Sequence, residues 1–197
     1  MKLPLFPLNA VLFPGCRLDL QIFEARYLDM LSRCMKQGTG FGVVTIGEGR
    51  EVGEAPSRLA MVGCEASIRD WQQRPNGLLG IRVEGGRRFQ VLSVEVQADQ
   101  LSVGEVEWFD GPPEQPLTHE HNDLAALLGV LAEHPMVAAL EMGGEPAGQQ
   151  DLANQLAYLL PFDTERKLEL LALPDAQTQL ARIQVLLEHL QGELGSD

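Results

Sequence analysis

No stretch of this sequence is apolar for long enough to serve as a signal peptide or to span a membrane. The N-terminal segment MKLPLFPLNAVLFPG holds a single lysine and is broken by Pro4, Pro7 and Pro14, whereas a membrane helix takes about 20 consecutive apolar residues. A cytoplasmic chain with no membrane partner is expected. Cysteine is scarce too. Cys16, Cys34 and Cys64 are odd in number, widely spaced and form no CxxC pair, so neither a zinc knuckle nor a thioredoxin-like motif is on offer. Three reduced thiols packed as small hydrophobes, in a reducing compartment, are the expectation.

The motifs of catalysis are missing as well. The three lysines, Lys2, Lys36 and Lys167, follow no GxxxxGK[ST] loop, which excludes a Walker-type phosphate site. No GxSxG elbow occurs, and Ser32, Ser57, Ser67, Ser93 and Ser102 sit in no glycine-rich nucleophile context. All four histidines follow residue 118 and all three cysteines precede residue 65, so no local Cys–His pair presents itself. His119-x-His121, with Glu120 or Asp123 nearby, has a spacing that can hold a metal. It reads better as a solvated linker before a helix, with His121 or Asn122 near the N-cap. His134 and His189 read as exposed positions near helix C-termini, where a cation suits the dipole. No catalytic residue, metal or cofactor is assigned, and the chain is expected not to be an enzyme.

What is present is the material of a globular protein. The 197 residues are 45% apolar and 22% charged, enough for a sizeable core and too apolar for disorder. The net charge of −13 is uneven. Residues 1–110 carry 12 Lys and Arg against 14 Asp and Glu, a net of −2, whereas residues 111–197 carry 3 against 14, a net of −11. So acidic a second part weighs against nucleic-acid binding.

The two parts also differ in period. In residues 1–110, Leu18, Leu20 and Ile22 alternate with polar neighbours as in a half-buried strand. Residues 41–46, 59–68, 78–83, 89–96 and 102–108 are further strand candidates, divided by turn chemistry at Gly47–Gly49, Pro75-Asn76-Gly77 and Gly85-Gly86. Phe23, Tyr27, Met30, Leu31 and Cys34 recur at helical spacing and stop near Gly38. Prolines 112, 113 and 116 make 111–118 a linker. Residues 119–197 then read as helical: Leu124, Leu127, Leu128 and Leu131; after a break at 142–148, Leu152, Leu156, Leu159 and Leu160 behind an Asp151 N-cap; Leu168 and Leu171 behind Asp163; and Leu180, Ile183, Leu187 and Leu190, ending near Gly192. The expected fold is α+β, a β-barrel with one early helix followed by a helical bundle.

Candidate contacts are few. Glu24 and Arg26 flank the start of the first helix, either as a charged rim for a ligand or as a tie between helix and loop. Arg87 and Arg88, beside Phe89, are able to stack on a base or clamp a carboxylate, or simply end a strand.

These residues together resemble the Lon protease substrate-binding domain family. Leu3-Pro4-Leu5-Phe6-Pro7-Leu8, Val11-Leu12-Phe13-Pro14-Gly15 and Leu18-x-Leu20-x-Ile22-Phe23-Glu24-x-Arg26-Tyr27 carry the likeness, followed in order by Phe41-Gly42-Val43-Val44, Val62-Gly63-x-x-Ala66 and Arg88-Phe89-x-Val91. Ala25 stands where the family often has proline, Cys64 where threonine is common and Gln21 where histidine is usual. All three are compatible with the fold. The resemblance implies a PUA-like pseudo-β-barrel, a helical second part and recognition of protein or peptide substrates, with a separate protease or ATPase as the further partner it suggests. It also implies a stand-alone, peptidase S16 Lon-like member without ATPase and protease domains, monomeric or weakly dimeric. Peptides are expected in a groove between barrel and bundle, against exposed Trp71 or Trp108, with Glu24, Arg26, Tyr27, Arg87 and Arg88 as the further binding residues. RNA binding through Arg82, Arg87 and Arg88 is the alternative, and an unrecognised hydrolase a third.

Overall fold

A computed structural model describes residues 1–194. The chain folds as two compact units, Met1–Phe109 and a second from Asp110 onward.

The first unit holds six strands and one helix: β1 Lys2–Leu8, β2 Arg17–Ile22, α1 Ala25–Gln37, β3 Phe41–Glu48, β4 Arg58–Gln73, β5 Leu79–Val96 and β6 Ser102–Trp108. The sheet order is β2-β5-β4-β3-β1-β6, and β6 pairs again with β5. Five strands therefore close into a barrel-like ring, with β2 added on β5. The long β5 makes closure feasible. Its first part, Leu79–Glu84, pairs with β2, and its last, Phe89–Val96, with β6. Leu3, Leu5, Val44, Phe89, Val91 and Val106 form an apolar cluster within the unit, with Leu59 and Trp108 packed against it.

One local expectation is corrected by the fold. Gly85-Gly86 is not a turn, because both glycines lie inside the continuous β5. The reason is crowding: a Cβ on Gly85 would stand 2.0 Å from the Phe13 carbonyl oxygen. Gly15 N–H donates to Gly85 O and Gly85 N–H to Cys16 O, both at 2.8 Å, so the segment before β2 docks on this glycine. Lys2–Leu8, to which the sequence assigns no element, is a strand despite its prolines. Its residues 2–4 register with β6 and its residues 5–8 with β3, so neither Pro4 nor Pro7 sits where both neighbours are paired, and a missing N–H is tolerated.

Helix α1 begins two residues after Phe23. That side chain is 52% exposed, so it does not seal the helix to the barrel as its spacing promised. Tyr27 does so alone, its ring 4.3 Å from that of Phe6. Gly38, at φ 64°, terminates the helix and donates its N–H to Cys34 O.

The second unit holds α2 Asn122–Ala132, the short α3 Pro135–Ala138, α4 Gln149–Leu159, α5 Thr164–Ala172 and α6 Ala176–Leu194, after a 3₁₀ turn at His119–His121. Leu128, Leu152, Leu156, Leu170 and Ile183 are fully buried. Asp163 accepts from Arg166 N–H and Asp175 from Thr178 N–H, each at 2.8 Å, capping α5 and α6 as their spacing predicts. Asp151 is not the cap of α4, which starts two residues earlier. Its carboxylate instead accepts from Ala147 N–H at 2.8 Å. Glu114 supplies the cap, accepting from Gln150 N–H at 2.7 Å and Asp151 N–H at 3.1 Å. His121 Nδ1 accepts from Thr118 N–H at 3.1 Å, and His134 Nδ1 accepts from Met136 N–H at 3.3 Å. His134 thus opens α3 rather than closing α2. Among the described residues no group of three His, Cys, Asp or Glu is placed to hold a metal, and no helix is long and apolar enough to cross a membrane.

Candidate functional site

The nominated residues of the first unit separate into two places. Glu24 and Tyr27 border a small cleft of about 180 Å³ beside β2 and the end of β1. Arg26 stands next to them but is only 5% exposed. It donates to Gln100 O at 2.8 Å and to Glu24 Oε2 at 3.0 Å, and lies 4.8 Å from the Tyr27 ring centre. Glu24 also accepts from Gly53 N–H at 3.3 Å, and Gln100 Oε1 accepts from Ala55 N–H at 3.2 Å. Arg26 and Glu24 therefore knot α1 to two loops, 49–57 and 97–101. Of the two readings the sequence left open, this geometry is that of the tie.

Trp71 and Arg87 share a second, larger cleft of about 590 Å³. One wall is β4, which supplies Glu65, Ser67, Ile68, Arg69 and Trp71, its register on β5 shifting between Cys64 and Ala66 and again between Ile68 and Asp70. The end of α1 supplies Cys34 and Met35, the turn after it Gly38–Gly40, and β1 supplies Leu3. Trp71 is 57% exposed, and Met1 and Met35 are exposed as well. An indole and two thioethers face solvent around one cleft, which marks a contact surface more than a packing accident.

Trp108 departs from expectation. It is partly buried, edge-on to Phe89 with ring centres 5.8 Å apart, and the Arg87 guanidinium lies 4.0 Å from its centre. Its place on β6 directs it to the Phe89 cluster. Arg87 also approaches Glu65 at 3.5 Å. Its neighbour Arg88 points the other way, buried, and lies 5.4 Å from the Phe109 ring centre. Arg82 is held bidentately by Asp19 at 2.7 and 2.9 Å. Of the three arginines nominated for RNA, Arg87 is the one with an exposed side chain.

Catalytic chemistry finds no footing in the larger cleft. Its thiol, Cys34, is buried and donates to Gly40 O at 3.5 Å. Burial pushes this thiol up from its ordinary value, and Cys64 likewise. A neutral thiol is a poor nucleophile, and among the described residues no histidine borders the cleft. Sequence reasoning missed Met35, Ser67 and Arg69. The register shift between Ile68 and Asp70 interrupts the alternation that would have linked Ser67 to Trp71, and Met35 needs the approach of α1 to β4.

Comparison with known proteins agrees with this architecture. The family model for the ATP-dependent protease La (LON) substrate-binding domain matches residues 2–189. Lon protease 2 of Herpetosiphon aurantiacus is 28% identical over 203 residues, covering 95% of this chain but 24% of its own length. The crystal structure of a Lon N-terminal domain protein from Xanthomonas campestris is similar with a TM-score of 0.74 and 33% identity, over 94% of this chain and 98% of that one. The N-terminal domain of a Mycobacterium avium complex Lon protease shares the fold at TM-score 0.57 and 18% identity, over 95% and 97% of the two chains. The chain belongs to the Lon substrate-binding domain family.

Proposed function

We propose that the chain is a non-catalytic recognition module for polypeptide substrates, and that it takes them in the cleft between the end of α1 and the face of β4. The single observation carrying the site is Trp71, an exposed indole that lines, together with Met35 and Arg87, a cleft of about 590 Å³. Adaptable thioethers and a rigid aromatic suit segments of varied sequence. Family membership supports the substrate role, and the name of the Herpetosiphon relative, Lon protease 2, supports delivery to a proteolytic partner. The test is fluorescence anisotropy with labelled, permanently unfolded casein. The intact chain binds it saturably, and Trp71→Ala weakens binding about tenfold, the cost of a truncated aromatic anchor. Equal affinity for Trp71→Ala with unchanged circular dichroism sinks the siting, and no binding by the parent chain sinks the function.

A further inference from the structure

The larger cleft adjoins another of about 460 Å³, and the two share Met1, Leu3, Cys34, Thr39 and Gly40 as a common floor. Their charges are one-sided. Arg69 and Arg87 line one half, Lys2 and Arg33 the other, against Glu65 as the carboxylate within either lining. This stands out in a chain of net charge −13. Arg87 faces Glu65 at 3.5 Å within the lining, whereas the carboxylates that pair Arg69 and Lys2 lie outside it: Glu84 holds Arg69 at 2.9 Å and Glu95 holds Lys2 at 3.3 Å. Lys2 and Glu95 are both more than 70% exposed, and Arg69 is 56% exposed. An exposed pair is worth at most about 1 kcal/mol, so an arriving carboxylate exchanges with Glu95 at little cost, and Glu84, which is 23% exposed, keeps Arg17 at 3.1 Å when Arg69 turns to a ligand.

We infer that this double cleft selects extended segments in which acidic residues accompany large apolar ones, an inference resting on the polypeptide reading above. The apolar floor with Trp71 takes the large side chains, and Lys2, Arg33, Arg69 and Arg87 hold the carboxylates. A polypeptide is favoured over RNA because, among the described residues, Trp71 is the one aromatic side chain lining the cleft, whereas single-stranded nucleic acid is held by successive aromatic platforms.

Three labelled unstructured peptides of equal length and equal Trp and Leu content, differing in Glu, Gln or Lys at the polar positions, test this on the full chain. At low salt the Glu peptide binds about tenfold tighter than the Gln peptide, and the gap narrows severalfold at 0.5 M salt as exposed charges are screened. Arg33→Gln and Arg87→Gln each reduce the preference for the Glu peptide over the Gln peptide about threefold. Arg33 is exposed on α1, so its variant keeps the fold even where Arg87→Gln disturbs Trp108. Equal binding of all three peptides overturns the selectivity and leaves the polypeptide reading standing. Binding of none overturns both. Displacement of the Glu peptide by oligouridine at matched charge shows generic polyanion capture and overturns the inference.

Discussion

Arg26 is a charge taken out of water and held by two oxygen acceptors. Its guanidinium reaches Gln100 O and Glu24 across a gap no local sequence rule describes, and its Nε has no partner among the described residues. Truncation leaves a carbonyl and a carboxylate partly buried without their donor, and such losses run to about 2–3 kcal/mol. Arg26→Ala is therefore expected to lower the stability read from urea denaturation by that amount at unchanged m-value. Arg26→Lys does not restore it, since an ammonium lacks the planar fork that serves both acceptors. Asp19 is the milder case. The Arg82 hydrogen bonds hold its carboxyl below the usual carboxylate value, against partial burial. A lowered folded value means that the stabilisation is present above the ordinary carboxylate value and is lost as pH falls through the lowered one. Because Asp19 is 43% exposed, solvent screening limits the effect to about 0.5–1 kcal/mol. Asp19→Asn should be less stable than the parent by that margin at pH 7, with the two denaturation curves converging as pH falls below 3.8.

At the scale of elements, Gly85 and Glu114 show what propensity alone does not see. Gly85→Ala drives a Cβ into the Phe13 carbonyl, a backbone atom with nowhere to go. A loss of about 2–4 kcal/mol is expected. Gly86→Ala, whose nearest contact is the Glu65 side chain at 3.4 Å, serves as the near-neutral control in the same thermal melts. Glu114→Ala uncaps α4 and should cost about 1 kcal/mol, read as a lower Tm of the second unit. Asp163 and Asp175 were legible because a cap and its N–H lie three residues apart. Glu114 was not, because its targets are 36 and 37 residues on. The same division runs through the first unit. Strand period and the Asn76-Gly77 hairpin are local and were read correctly, while Gly85 reads as a turn until Phe13 is placed beside it. Of the candidate site, Trp71 and Arg87 stand out in the sequence as conspicuous side chains on strands. Their company in one cleft depends on α1 meeting β4, and no spacing in the sequence expresses that.

Over the whole molecule, the pairing of β6 back onto β5 completes the ring within residues 2–108, and both halves of the double cleft draw their walls from residues 1–103. The residues that line the double cleft all precede Phe109. A fragment of residues 1–109 is thus expected to fold alone, with a cooperative thermal transition and the far-ultraviolet signature of strands, because its closed ring and apolar core are self-contained. The sign of its electrostatic change follows from charge counting. Residues 110–197 carry 3 cationic and 15 acidic side chains, so removing them takes away repulsion toward an acidic peptide. The fragment should bind the Glu-containing peptide faster and severalfold tighter than the full chain at low salt, and within about twofold of it at high salt, where the Debye length falls to a few ångströms. Stopped-flow and equilibrium anisotropy at the two salt concentrations measure both quantities. A folded fragment that fails to bind the peptide at either concentration would show that the second unit supplies contacts of its own, and the site would have to be redrawn to include them.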